Sequence, residues 1–384
     1  MQKKIIALAI AAAVSAPAFA ETMNVNIYGT ADLSYDFIDT GTSAAGVAGV
    51  NKRNVSSNVS KIGFKGSSKD MGRGFVAIWQ VEQQINMDNN GGNTFATRNT
   101  FAGLKSDSAG TVLLGRHDTP YKLSTRKLDP FGDSIADNRA LLGGSTGTVT
   151  AGVITAAKSA GTSFDGRQPD VLAYISPSMS GLTGAIAYVN LTETNTTAAQ
   201  QDNSALSLAG MYNADPFYGS LGYEEHKLDT FRAGGKESAW KLGLGYTMDA
   251  FALGFVYENT SDNLGGAAAA SVGAGCAAQA AGTDCFGHNA YFLAGTYQIG
   301  SGAIKAAYGK AGQLGSTPNS GANQFTLGYD HIIDKNFKLY AIYSRISNDI
   351  GSRYAFTQSS AAASTIVGAG ASPSVVSLGM KYSF

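Results

Sequence analysis

A chain of 384 residues has the length of two or three soluble domains, yet only 15% of it is charged, where soluble chains carry about 25%. It also holds 48 Gly, 18 Tyr and 18 Phe, a composition that asks for an unusual solvent or an unusual architecture. Lys plus Arg and Asp plus Glu are equal at 28 each, which sets aside a basic nucleic-acid binder and an acidic tail. With 4 His and 2 Cys, little material is left for a metal site, and no cofactor is implied.

In chain order, Lys3 and Lys4 precede the apolar run Ile5 to Val14, and Ala18-Phe19-Ala20 supplies a small-x-small cleavage pattern. Residues 1–20 therefore read as a signal peptide and 21–384 as a single domain. Beyond Ala20 no run of strongly apolar residues is long enough for a membrane helix. The nearest, Gly265 to Gly282, is Ala and Gly broken by Ser and Gln279, and reads as a loop.

What recurs instead is period-two alternation. Val25, Ile27, Leu33, Tyr35 and Phe37 share one face, and Asn24, Asn26, Thr30, Asp32, Ser34 and Asp36 the other. Val376, Leu378, Met380, Tyr382 and Phe384 repeat the apolar face. Between them lie further candidate strands near 58–68, 74–86, 97–106, 110–117, 168–177, 181–191, 204–213, 217–226, 237–247, 250–260, 288–298, 302–311, 322–331 and 336–346. These make sixteen in all, an even number, as an antiparallel barrel requires. Tight links such as Lys69 to Gly72, Met248-Asp249 and Ile333 to Asn336 alternate with long Gly-, Ser- and Thr-rich ones near 118–167, 261–287 and 347–373. The expected fold is all-β, a 16-stranded antiparallel transmembrane β-barrel. Strands cannot satisfy their own backbone groups in hydrocarbon, so spanning strands must close on themselves. Tyr174, Tyr188, Tyr212, Tyr223, Tyr246, Tyr257 and Tyr382 fit the interface girdles of such a barrel.

A barrel of this width holds water unless something fills it. The connection at about 118–167 is the candidate, because Lys122, Arg126, Lys127, Asp129, Asp133, Asp137 and Arg139 crowd its first half; the competing reading is a solvated surface loop. Export permits a disulfide between Cys276 and Cys285, a local loop staple, and two reduced loop cysteines is the other reading.

Short motifs in a fixed order make the chain resemble the Gram-negative general diffusion porins, the betaproteobacterial branch above all. They are Val25-x-Ile27-Tyr28-Gly29, Lys61-Ile62-Gly63-Phe64-Lys65-Gly66, Arg98-x-x-Phe101-Ala102-Gly103-Leu104, Gly110-Thr111-Val112-x-Leu114-Gly115-Arg116, Asp129-Pro130-Phe131-Gly132, Tyr174-x-Ser176-Pro177 and Tyr382-Ser383-Phe384. The resemblance implies an outer-membrane homotrimer embedded in lipid and lipopolysaccharide, passing ions and small hydrophilic solutes. It also implies a third loop folded inward, with its acids facing a basic wall. Carried over by position, the wall is Lys61, Lys65, Arg98 and Arg167, and the loop acids are Asp129 and Asp133. Two positions depart from the family pattern: Lys61 stands where many relatives carry Arg, and no acid follows Pro130.

Alternation speaks to the wall independently. Ile62 and Phe64 toward lipid put Lys61 and Lys65 inward, and Phe101 outward puts Arg98 inward. A Lys or Arg facing mid-bilayer lipid would cost roughly 2–4 kcal/mol. Four cations against two or three acids predict a weak anion preference.

Rival functions come from other classes. Gly143-Gly144-Ser145-Thr146-Gly147 matches the G-x-S-x-G of hydrolases but lacks the strand-to-helix context. Gly243-Leu244-Gly245 starts a dinucleotide pattern that Met248 breaks. No enzyme is therefore expected. A substrate-specific channel would want more inward aromatics than Tyr28 and Tyr340, and an adhesin would act through the loops at 261–287 and 347–373.

Overall fold

The computed structural model describes residues 24–88, 95–143, 149–150, 153–154, 164–191, 203–229, 231–356 and 368–384. The expected leader at 1–20 and Gly144 to Gly147 of the hydrolase-like match lie outside the described residues. The strands are β1 (Asn24–Asp39), β2 (Asn51–Ser57), β3 (Lys61–Ser67), β4 (Phe75–Gln84), β5 (Thr100–Ser106), β6 (Gly110–Asp118), β7 (Val149–Thr150), β8 (Val153–Ile154), β9 (Arg167–Ile175) and β10 (Leu182–Asn190). They continue as β11 (Ser204–Ala214), β12 (Phe217–Lys227), β13 (Lys236–Met248), β14 (Phe251–Asp262), β15 (His288–Ile299), β16 (Gly302–Ala311), β17 (Ala322–Ile332), β18 (Phe337–Asn348) and β19 (Ser374–Ser383).

All but the small β7–β8 hairpin belong to one 17-segment antiparallel sheet, closed by the pairing of β19 with β1. β2 and β3 pair successive stretches of β1 and are interrupted at Val59, whose φ is 57°. Counted as one kinked strand they bring the barrel to sixteen, each within a few residues of its expected place. The stretch missing from the sequence reading is β2, whose Asn-Lys-Arg-Asn-Val-Ser-Ser carries polar groups on both faces and so shows no alternation.

The outer face is a band of bare apolar side chains. Leu172, Leu221, Leu253, Leu293, Leu327 and Leu378, spread around the cylinder, are between 44% and 59% exposed, which only a hydrocarbon solvent tolerates on this scale. Aromatic pairs edge the band. Near the tight turns Phe217 meets Tyr246 with ring centroids 5.3 Å apart, and Phe251 meets Tyr297 at 4.5 Å. Near the long connections Trp240 meets Tyr257 at 5.0 Å, and Tyr257 meets Tyr291 at 5.1 Å. Trp240 and Tyr246 lie on one strand, and six residues of strand span about 20 Å, the scale of a bilayer core crossed at a tilt.

The segment after β6 opens with the short helix α1 (Pro120–Thr125), capped by the Thr119 side chain, and continues through two single 3-10 turns at Arg126–Leu128 and Asn138–Ala140. It touches side chains on the face opposite the apolar band. Ser207 Oγ of β11 accepts from Tyr121 N at 2.9 Å, and Tyr218 OH of β12 donates to Ser124 O at 2.6 Å. Further around, Lys305 Nζ of β16 donates to Pro130 O at 3.2 Å, and Gln324 Nε2 of β17 to Ala136 O at 3.1 Å. Leu128, Phe131, Ile135 and Leu141 are buried with Val256, Phe292, Ala294 and Ala307 of that wall. The seat is made of small residues because the segment comes so close. A Cβ on Gly254 would stand 2.6 Å from Leu128 O, and one on Gly328 would stand 2.6 Å from Phe131 Cε1.

On the long-loop side, helix α2 (Ala269–Ala277) is closed by a disulfide between Cys276 and Cys285, with Cα atoms 5.5 Å apart. The bond is buried with Leu228, Leu264, Phe286 and Leu314, a small core for a loop of Gly and Ala that has little apolar area of its own.

Overpacking the seat should dislodge the segment while leaving the sheet intact. Gly328→Leu is expected to keep the heat-modifiable gel band of a folded barrel. Overpacking of about 1–3 kcal/mol should expose the bonds after Arg126 and Lys127 to trypsin about tenfold or more faster than in wild type. Equal cleavage rates would show that the close approach at Gly328 does not hold the segment.

Candidate functional site

The predicted wall cations converge. Gly63 sits opposite Tyr28 on the inner face, between Lys61 and Lys65. Having no side chain there, it lets the Tyr28 ring lie across β3, since a Cβ would clash with that ring. Tyr28 OH thereby reaches Glu82 Oε2 at 3.0 Å, and Glu82 is held also by Arg98 Nε at 2.6 Å and Lys61 Nζ at 3.2 Å. Lys65 Nζ stands 5.1 Å over the Tyr28 ring, within cation-π range. Arg167 donates from Nε to Asn99 Oδ1 at 2.8 Å and pairs through Nη2 with Asp118 Oδ1 at 3.1 Å. Asp118 also takes Lys122 Nζ of α1 at 2.7 Å. Lys61, Lys65, Arg98 and Arg167 thus line one arc of the inner wall, from β3 to β9.

Sequence reasoning missed the acids within that arc. Glu82 stands at an inward position of β4, paired with Gly63, and Asp118 ends β6. A single acid in an alternating strand forms no motif; its inward parity beside Gln80 and Gln84 was the only signal.

Two expectations need correction. Phe101 does not face lipid. It pairs with Gln80 on one side and Gly115 on the other, lies in the row of buried Val171, and meets the His117 ring at 5.3 Å. Arg98 nonetheless points inward, because regular pairing stops at Thr100 and the chain bends at Arg98, so the parity is lost between 98 and 101. A further irregularity lies between Gly115 and His117, opposite β9, where Asp170 has a φ of 50°. It brings Arg167 and Asp118 side by side.

The second correction concerns Asp129, whose carboxylate turns away from the wall cations. Its two oxygens accept from Phe131 N at 2.8 Å and Asn138 N at 2.9 Å, which ties the segment into a compact turn. Asp133 likewise takes its ion pairs from the segment itself. Its side chain is 39% exposed and takes Arg126 Nη2 at 2.6 Å and Arg139 Nη2 at 3.2 Å. Both arginines also clamp the fully buried Asp137, at 3.0 and 2.8 Å. Charge separation between segment and wall is therefore incomplete, since each side carries its own counterions.

Protonation follows from these surroundings. Burial, reinforced by the neighbouring Asp137, pushes the Asp129 carboxyl up to about 7. Burial works against the charged form of Asp133, but the guanidiniums around it, Arg126 first and then Arg139 and Arg98, together outweigh it and hold that carboxyl below its ordinary value. Lys122 is brought down to about 8 by burial, with Asp118 opposing. Because the Asp129 carboxyl lies above its ordinary 3.8, its contribution to stability is complete below about pH 4 and is lost as pH rises through about 7. Asp129→Asn should remove that component, so the drop in thermal unfolding midpoint between pH 5 and about pH 8 should be smaller in the variant than in wild type. Identical drops would mean that Asp129 does not titrate in this window.

Glu82→Gln should leave the barrel folded and raise the preference for anions. One unit charge about 10 Å away in water is worth ~0.4 kcal/mol, with opposite sign for the two ions, so the chloride-to-potassium permeability ratio should rise by up to roughly fourfold at low salt. A zero-current potential equal to that of wild type would remove Glu82 from the ion path.

A sheet closed on itself, with an apolar outer band between aromatic edges and a charged inner face, defines the class of outer-membrane β-barrel channels. The chain belongs to the Gram-negative porin family, whose family model matches residues 7–351, and it is a multi-pass β-barrel of the Gram-negative outer membrane. Among curated relatives it is 26% identical over 216 residues to the major outer membrane protein P.IA of Neisseria meningitidis serogroup C, an alignment covering 53% of this chain and 49% of that one. The chain thus spans about half the length of that relative. It is 25% identical to the outer membrane porin protein 32 of Delftia acidovorans, with 100% of both chains covered. Among solved structures, an anion-selective porin from Comamonas acidovorans shares the fold, with a TM-score of 0.72 at 21% identity over 94% of this chain and 100% of that one.

Proposed function

We propose that the barrel is a water-filled channel for passive diffusion of ions and small hydrophilic solutes, narrowed by the segment from Thr119 to Gly143. The observation that supports this most directly is the arrangement of charge on the inner face. Lys61, Lys65, Arg98 and Arg167 stand on one arc, and Arg126, Asp133 and Arg139 on the segment. Between the two sides the field runs across the path, which orders water and favours polar solutes that can align with it.

The sign follows from counting. Along the arc and the segment, the eight cations Lys61, Lys65, Arg98, Lys122, Arg126, Lys127, Arg139 and Arg167 outnumber the five carboxylates Glu82, Asp118, Asp129, Asp133 and Asp137, while Lys241, Lys305 and Lys338 elsewhere on the inner face are matched by Asp165, Glu258 and Asp330. The surplus is positive, and it grows when Asp129 is protonated, so a weak anion preference is the reading. The relative from Comamonas described as anion-selective points the same way. The porin family and fold support a channel as the reading rather than an enzyme. The family resemblance supports a homotrimer in contact with lipid and lipopolysaccharide. A substrate-specific pore and an adhesin are the alternatives, distinguished by saturable block with a sugar and by a lack of large conductance steps.

Reversal potential in a planar bilayer under a KCl gradient tests the reading. Wild type should prefer chloride, and Lys61→Glu with Lys65→Glu should shift the preference toward potassium while the folded gel band is kept. Lys65 has no ion pair with Glu82, and Lys61, though it pairs with Glu82, has a side chain 26% exposed against 8% for Arg98, so a new carboxylate at either lysine can turn to water where one at Arg98 would stand buried against Glu82. Clear cation preference in wild type, or unchanged selectivity in the variant, would defeat the proposal.

A further inference from the structure

The narrowing segment needs a reason to stay where it is, and the buried polar groups behind it supply one. Glu258 is fully buried on the inner face of β14. Backbone pairing with β13 and β15 already holds β14 in the sheet, so the carboxylate is not needed there. Its hydrogen-bond donors among the described residues both belong to the segment, while Lys241, opposite it on β13, contributes its charge. Tyr121 OH, at its start, donates to Oε2 at 2.7 Å, and Gly143 N, at its end, donates to Oε1 and Oε2 at 2.9 and 3.0 Å. One carboxylate thus gathers the two ends of the segment onto one point of the wall.

Its neighbourhood reinforces the same attachment. Lys241 Nζ, on β13, lies 4.0 Å from the centroid of the Tyr121 ring and pairs with Asp165 Oδ1 at 2.5 Å, on the stem by which the chain returns to the wall. Asp165 N in turn donates to Gly143 O at 3.2 Å. A charge buried this deeply is costly unless its partners are complete, so displacing the segment would strand Glu258 without its donors. The arrangement therefore favours one position of the segment over a range of them.

We propose that Glu258 is the positioning residue that sets the aperture of the channel, by holding Tyr121 and Gly143 together against β14. This rests on the reading that the segment narrows the path. Side chains at the segment's tip decide which ions pass, whereas Glu258, set back from the path, decides how far and how steadily the tip projects.

Single-channel recording tests this on the full-length refolded protein, with the heat-modifiable gel band as the check of folding. Glu258→Ala should raise mean conductance by about half or more, since pore radius sets conduction, and should add open-channel noise as the segment moves. Glu258→Gln should return close to wild type, its amide oxygen accepting from Gly143 N and its amide nitrogen donating to the Tyr121 oxygen. Tyr121→Phe, which removes one of the two ties, should fall between. Asp133→Asn serves as the control for the segment itself and should shift the reversal potential toward anions. If that control shifts while Glu258→Ala keeps wild-type conductance and noise, Glu258 does not set the aperture and the channel reading stands. If Asp133→Asn is silent as well, the segment does not line the path and both ideas fall. Should Glu258→Ala fail to fold, Tyr121→Phe decides alone, and wild-type conductance and noise in that variant would overturn the proposal.

Discussion

In hydrocarbon a backbone N–H or C=O without a partner costs several kcal/mol, and no water is present to supply one. A strand satisfies its backbone only through neighbours, so the sheet must continue until it meets itself. In this chain the meeting is the β1–β19 pairing, where Asp32 stands opposite Lys381 and Phe37 opposite Val376. Closure fixes the rest. It assigns every residue of every strand to lipid or to the interior, and it makes an interior wide enough that something other than wall side chains must shape it. The bare leucines outside and the Ala- and Gly-lined seat inside are two results of the same requirement.

What shapes the interior obeys the opposite rule. The segment behind β6 has little regular structure, and where its local turns leave backbone N–H groups over, side chains take them: Asp129 those of Phe131 and Asn138, Asp137 those of Asp133 and Arg139, and Glu258 that of Gly143. Carboxylates replace the ladder where no strand neighbour is available. For that reason several acids in this region serve the backbone and leave the path to others.

This explains which parts were legible in the sequence. Strands that alternate announce themselves, because period two is imposed by lipid on one side and water on the other; β1, β14 and β19 could be placed from residue types alone. β2 could not, since polar groups flank it on both faces. Parity arguments held for Lys61 and Lys65, which sit in a regular strand, and failed for Phe101, because one irregular stretch between it and Arg98 reverses the face without leaving a mark in residue types. Glu82, Asp118 and Glu258 had to await the fold. Their roles are defined by residues across the barrel, such as Tyr28 for Glu82 and Gly143 for Glu258, and no local spacing encodes such pairs.

The wall cations raise a last point. Arg98 is fixed by Glu82, and Arg167 by Asn99 and Asp118, so neither guanidinium has to search for its orientation when a solute arrives. Free lysines on a flexible surface would surrender rotamer freedom with every passage, at a cost of up to about 2 kcal/mol each. Here that ordering was completed during folding. On the channel reading, a passing solute therefore meets two guanidiniums that are already ordered, and none of their rotamer freedom is spent on it.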